Sequence, residues 1–154
     1  ISIDENDDIK DKHFAFDFNT KHFVYEGFHL NSQSLFWRKE VHDNFTGFDT
    51  SLNLTMDYQM ILEFAINNSD NDFIRVNKFF AAFRRYEGQK TASYDENVHL
   101  EHLRIASKYN FEDKFLLTGR VKRLFFRFRR ALWYFKRGGF KELIKRFFRL
   151  NAYN

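Results

Sequence analysis

The chain has 154 residues, a net charge of +4, 20% aromatic residues with Phe at 22 positions, and neither Cys nor Pro. So high an aromatic content excludes a disordered chain, and the lack of cysteine excludes a disulfide framework or thiolate metal site and favours a reducing compartment. Charge is unevenly spread. Residues 120–154 carry 12 Lys and Arg against the single acid Glu142, whereas residues 1–119 carry 13 against 20 acids. An acidic body with a basic C-terminal segment points to an anionic partner for that segment. The length suits one domain with a modest core. No secretory signal is visible, and a first residue that is Ile suggests a piece of a longer chain.

In chain order, residues 1–26 read as short strands. "ISIDENDDIK" places a polar turn, Glu5 to Asp8, between apolar ends, "HFAFDF" alternates strictly, and "KHFVY" follows the turn-like Asn19-Thr20. "QSLFWRK", 33–39, reads as a further strand that runs toward the turn residues Gly47 and Asp49. A helix is expected over about 55–67, where Met56, Met60, Ile61, Phe64 and Ala65 recur on one face, with Gln59 and Glu63 pointing away. "NNSDND", 67–72, is a loop by composition, and "FIRVNKFFAAFRRY", 73–86, is apolar and aromatic enough for one or two strands. From Tyr94 the pattern is helical, with Val98, His102 and Ile105 on a shared face. Beyond it, Val121, Leu124, Phe125, Phe128, Leu132 and Phe135 form one stripe, and Gly138-Gly139 interrupts before a second amphipathic set at Phe140, Leu143, Ile144 and Phe147.

Within the 55–67 helix, Asp57 falls near the middle of the apolar arc at about 100° per residue. Two explanations are open. If Thr55 caps the helix, an acid in its first turn gains ~0.3–1 kcal/mol from the helix dipole. Alternatively, Asp57 is a partly desolvated base at a cleft. The dipole explains an acid in the first turn, but not one aimed at the apolar arc. His99 and His102, at i and i+3, could reach one metal, yet no third ligand is evident and core or surface packing is the default. Asn44, Asn53 and Asn67 begin glycosylation triplets, read as chance matches.

Three stretches in order, "NSQSLFWRKEV", "GFDTSLNLTMDYQMILEFA" and "FFAAFRRYEGQKT", together resemble the C-terminal half of a family 2 inverting glycosyltransferase. The matching features are Gln33 to Arg38, Gly47-Phe48-Asp49, Asp57-Tyr58 and Arg84 to Thr91. The resemblance implies an α/β fold, α+β within this fragment. It would be the acceptor-side part of a GT-A catalytic domain over residues 1–112, followed by basic amphipathic helices over 113–154. It implies polysaccharide biosynthesis by transfer of a sugar from a nucleotide-sugar donor to a glycan or lipid-linked acceptor, with Asp57 as the general base that deprotonates the acceptor hydroxyl. It further places Gln33, Trp37, Arg38 and Tyr58 on the substrate side, and Arg84 or Arg85 with Gln89, Lys90 and Thr91 in a loop near the donor diphosphate. A divalent metal, Mg or Mn, is expected in the full-length enzyme but not on this fragment. The family often has His where this chain has Tyr86, which removes one familiar metal ligand. Its nucleotide-binding half and Asp-x-Asp motif would lie upstream, since Asp4 to Asp8 stands too close to Gln33 and reads as a hairpin turn. The fragment alone is therefore expected to be inactive.

The longest uncharged apolar run of the tail is Ala131 to Phe135, whereas a membrane span needs about 20 residues. An interfacial helix needs only basic residues beside an apolar face. Arg123, Phe125, Arg127, Phe128, Arg130, Trp133, Lys136 and Arg137 are thus candidates for contact with an anionic membrane, which would make the protein peripheral at the inner, cytoplasmic face. The alternative is a non-catalytic adaptor whose basic helices hold membrane or nucleic acid. The acidic body argues against nucleic acid.

Overall fold

The computed structural model describes residues 1–150 other than 13, 28, 29, 31 and 89–95. The chain is mixed α/β: among the described residues a small three-stranded sheet stands beside five α-helices packed about one aromatic core. Strands β1 (Ser2–Ile3) and β2 (Ile9–Asp11) pair antiparallel, and β1 pairs parallel with β3 (Phe83–Arg84), giving the order β2-β1-β3. The acid-rich segment between β1 and β2 is a turn, as the sequence suggested. The Asp4 carboxylate accepts from the amides of Asn6 and Asp8 and pairs with Lys10 at 2.6 Å.

Helix α1 (Thr20–Glu26) replaces the expected "KHFVY" strand. The Asn19 side chain accepts from the His22 amide at 3.0 Å, and Gly27, at φ +119°, returns its N–H to the Phe23 carbonyl. An Asn cap and a glycine stop at this spacing are helix boundary signals, and they override the strand propensity of Phe, Val and Tyr. The Asp70 carboxylate then fixes the start of the helix, accepting from Asn19 Nδ2, Thr20 N and Thr20 Oγ1.

Residues 33–39 are not a strand either. A one-turn 3-10 helix, Ser32–Ser34, leads through irregular backbone to the short α2 (Lys39–Asp43). Residues 14–19 and 73–82 likewise lack ladder partners and form no regular strand. The two segments meet in a stacked pair of rings, Phe18 on Phe73 at 3.9 Å, but the second leaves Ile74 82% exposed.

Helix α3 (Met56–Asn67) runs through the centre, and every residue from Tyr58 to Ala65 is buried. A helix buried on all sides has no polar face, so Gln59 and Glu63 do not point away as expected. Glu63 instead accepts from Thr46 N at 2.8 Å, Thr46 Oγ1 at 2.9 Å and the Tyr109 hydroxyl at 3.1 Å, which supplies the partners a buried carboxylate requires. Helix α4 (Glu96–Lys108) adds Ile105 to the core.

Helix α5 (Leu117–Leu150) is continuous through Gly138-Gly139, which does not interrupt it. Each interior glycine costs a helix only about 1 kcal/mol relative to alanine, little against its 34 residues. Gly119 has a separate task. A Cβ there would lie 2.2 Å from the Asp113 carbonyl oxygen, so only glycine lets α5 start this close to the 112–115 turn. Gly119, Arg123, Phe126, Arg130 and Trp133 then follow at spacings of four and three along the face that meets α1. Phe126 belongs to the main core and Trp133 meets Phe16 edge-on at 6.2 Å. The first half of α5 is therefore built into the body.

Candidate active site

Asp57 occupies the first turn of α3 and is half-buried, at the point where the helix passes from exposed Met56 to buried Tyr58. Its Oδ1 accepts from the Tyr58 amide at 2.9 Å. Thr55 is the N-cap residue but gives the helix no side-chain cap. Its hydroxyl donates instead to the Glu101 carboxylate of α4, at 2.8 Å.

Glu101 is the main support of this corner. Besides Thr55 Oγ1, it accepts from the backbone N–H groups of Asn53 at 2.8 Å, Leu54 at 3.2 Å and Thr55 at 3.1 Å. Burial alone would raise its pKa, but these four donors outweigh burial and hold the carboxyl below its usual value. Three consecutive amides clamped to a neighbouring helix fix the approach to α3, and with it Asp57. Nothing in the sequence marks Glu101 for this role, because its partners are backbone amides some 46–48 positions away.

Behind Asp57 lies a buried group of titratable side chains. The Tyr58 ring stacks on Phe23 at 4.8 Å and meets His102 edge-on at 4.8 Å. Lys114, only 8% exposed, points its Nζ at the Tyr58 hydroxyl, 3.4 Å away. Burial pushes the Tyr58 phenol up. Burial, with Lys114 nearby, takes His102 down to about 4. Burial and the charge of Arg123 bring Lys114 down to about 8. Tyr58, expected on the substrate side, is thus a core residue, 4% exposed; its ring is consumed by packing. His99 meets Phe115 edge-on at 5.4 Å, so the two histidines pack on different rings.

The remaining expected site residues are dispersed. Gln33, Trp37 and Arg38 lie on the surface, and the Trp37 ring is 5.6 Å from Phe64, about two turns along α3 from Asp57. There an open groove of about 350 Å³ is lined by Glu40, Val41, Asn44, Phe64, Asn67 and Asn68. Arg84 is engaged by the β1–β2 turn: its guanidinium donates to the Asp4 and Glu5 carbonyls at 3.0 and 3.2 Å and pairs with Asp7. Arg85 follows β3, its amide donating to the Ile3 carbonyl of β1 at 2.8 Å. Gln89, Lys90 and Thr91 lie outside the described residues.

Among the described residues no group of three or more His, Cys, Asp or Glu side chains converges as a metal site. Comparison with protein-family models, curated proteins and solved structures gives no match.

Proposed function

We propose that this chain is the acceptor-side portion of an inverting glycosyltransferase, with Asp57 as its general base. The observation that carries the reading is the setting of Asp57: a half-exposed carboxylate on the first turn of a helix whose next eight residues are buried, with the preceding loop clamped by Glu101. A catalytic base needs this combination of a rigid element and an accessible oxygen. The order of the stretches around Gln33–Arg38, Gly47–Asp49 and Asp57–Tyr58 supplies the reaction class.

In this reading an acceptor hydroxyl lies within hydrogen-bond reach of the Asp57 oxygen not engaged by the Tyr58 amide. The hydroxyl oxygen attacks the anomeric carbon, forming the new C–O bond as the bond to the leaving nucleoside diphosphate breaks on the opposite face. Asp57 takes the hydroxyl proton, and the configuration inverts. Arg84, which would have to leave Asp7 to meet a diphosphate, or its neighbour Arg85 would offset charge on the leaving group.

The sheet supports a larger catalytic unit. Among the described residues β3 is an edge strand, and the segment that leads into it leaves Ile74 and Val76 exposed. Open edges of this kind are ordinarily paired or covered, and an upstream nucleotide-binding half would do so. The reading is tested by expressing the complete coding sequence that contains this chain and measuring nucleoside diphosphate release from a panel of nucleotide sugars. Release from one donor, dependent on an acceptor, is the expected result. No release from any donor by a folded product contradicts the reading and favours the adaptor alternative.

A further inference from the structure

Helix α5 carries two apolar faces, and the body uses only one of them. Phe126 and Trp133 face α1 together with two arginines that the body engages: Arg123 Nε donates to the Tyr25 carbonyl at 3.2 Å, and Arg130 pairs with the buried Glu26 carboxylate at 2.6 Å. Arg137 lies over the Trp133 ring at 4.4 Å. At about 100° per residue, the stripe of Val121, Leu124, Phe125, Phe128, Leu132 and Phe135 lies on the opposite side of the helix. Its members are 42–65% exposed. The sequence suggested that Arg123, Arg130 and Trp133 would face a membrane; they are instead the residues that tie α5 to the body.

We infer that this outward stripe is a docking surface for an anionic lipid bilayer, with α5 lying flat between the membrane and the body. Three observations select a bilayer as the occupant. Exposed basic residues flank the stripe on both sides, Arg120 and Arg127 on one and Arg129 and Lys136 on the other. Residues 117–141 contain no Asp or Glu that would repel anionic headgroups. No helix of the described residues is long and apolar enough to cross a membrane, and an apolar stripe between basic rows is the arrangement of a helix that lies in the interface. A second copy docking through the same face would bring like-charged rows together, which argues against a dimer. The inference stands on α5 alone and does not depend on the role of Asp57.

The test is co-sedimentation of the 154-residue chain with vesicles of phosphatidylcholine alone and with vesicles containing about one third phosphatidylglycerol. Binding to the anionic vesicles that weakens as salt is raised is the expected result. Leu124→Glu with Phe128→Glu, both on exposed positions, should keep the circular dichroism spectrum and reduce binding by at least about tenfold. Arg120→Gln with Arg127→Gln should weaken it by about fivefold per charge, from roughly 1 kcal/mol each. Binding that is absent, indifferent to lipid charge or unaffected by the Leu124 and Phe128 changes overturns the inference. So does a dimer that the same changes dissociate in the absence of vesicle binding, because a second copy would then be the occupant.

Discussion

The four hydrogen bonds received by Glu101 leave three consecutive amides dependent on one side chain. Replacing it by Gln keeps the shape but removes the charge and forces one donor to face another. Each buried donor left without a partner costs about 1–3 kcal/mol, so Glu101→Gln should lower unfolding stability by roughly 2–3 kcal/mol in a urea titration. A loss under about 0.5 kcal/mol, the size of an ordinary surface change, would show that the 53–55 loop does not need the clamp. His102 makes a pH-dependent prediction. Its folded pKa of about 4 lies below the ordinary histidine value of 6.5, so between those values the unfolded chain holds more protons and stability falls as pH drops. The full difference is on the order of 3 kcal/mol. Replacing His102 by Phe retains a ring beside Tyr58 and should flatten the melting temperature between pH 6.5 and 4. An unchanged slope would assign the acid sensitivity to other groups. Lys114 acts in the alkaline range with the same sign: its folded pKa of about 8 lies below 10.5, so its contribution makes the protein more stable as pH rises between them.

Among the elements, α3 and α5 show opposite limits of periodicity. The sequence marks both as helices, α3 over nearly its observed span, and both are present. Which face each buries was less legible. The apolar spacing of α3 implied a polar side at Gln59 and Glu63, but α3 is enclosed on all sides and Glu63 is satisfied by Thr46 and Tyr109, which only the tertiary fold brings near. In α5 the longest apolar stripe is the outward one, while the body takes the face that mixes Phe126 and Trp133 with Arg123 and Arg130. A pattern gives the stripes, but not the partner of each. The strand expected at "KHFVY" failed for a different reason: Asn19 and Gly27 are boundary signals that outweigh the propensities between them. Gly119 tests the seating of α5. Alanine at an interior helix position is ordinarily favoured by about 1 kcal/mol over glycine, but here its Cβ would meet backbone of the 112–115 turn. Gly119→Ala should therefore destabilise the protein by about 1–3 kcal/mol, the usual range for overpacking, as read by thermal melting. A rise in melting temperature would mean that the turn moves aside easily.

For the molecule as a whole, the acidic β1–β2 turn and the position of Asp57 at the start of a helix were legible from local sequence, whereas the α/β class was implied by the resemblance. The supports of Asp57 were not legible, because Glu101 belongs to another helix. The same holds for the short sheet, in which residues 1–3 pair with residues 83–84 across most of the chain. The groups expected around Asp57 are also only partly assembled: Tyr58 is core, Trp37 stands beside Phe64, and Arg84 is held by the β1–β2 turn. Asp57 on its clamped helix start is thus the feature on which the catalytic reading depends. The most direct measurement is turnover and donor affinity of Asp57→Asn, in the product of the complete coding sequence. If Asp57 is the general base, its loss should lower the turnover number by about 10²–10⁴-fold, with donor affinity changed less than about twofold, because in the proposed reaction the carboxylate takes a proton from the acceptor and does not hold the donor. Turnover equal to that of the parent would contradict the assignment of Asp57 as the base.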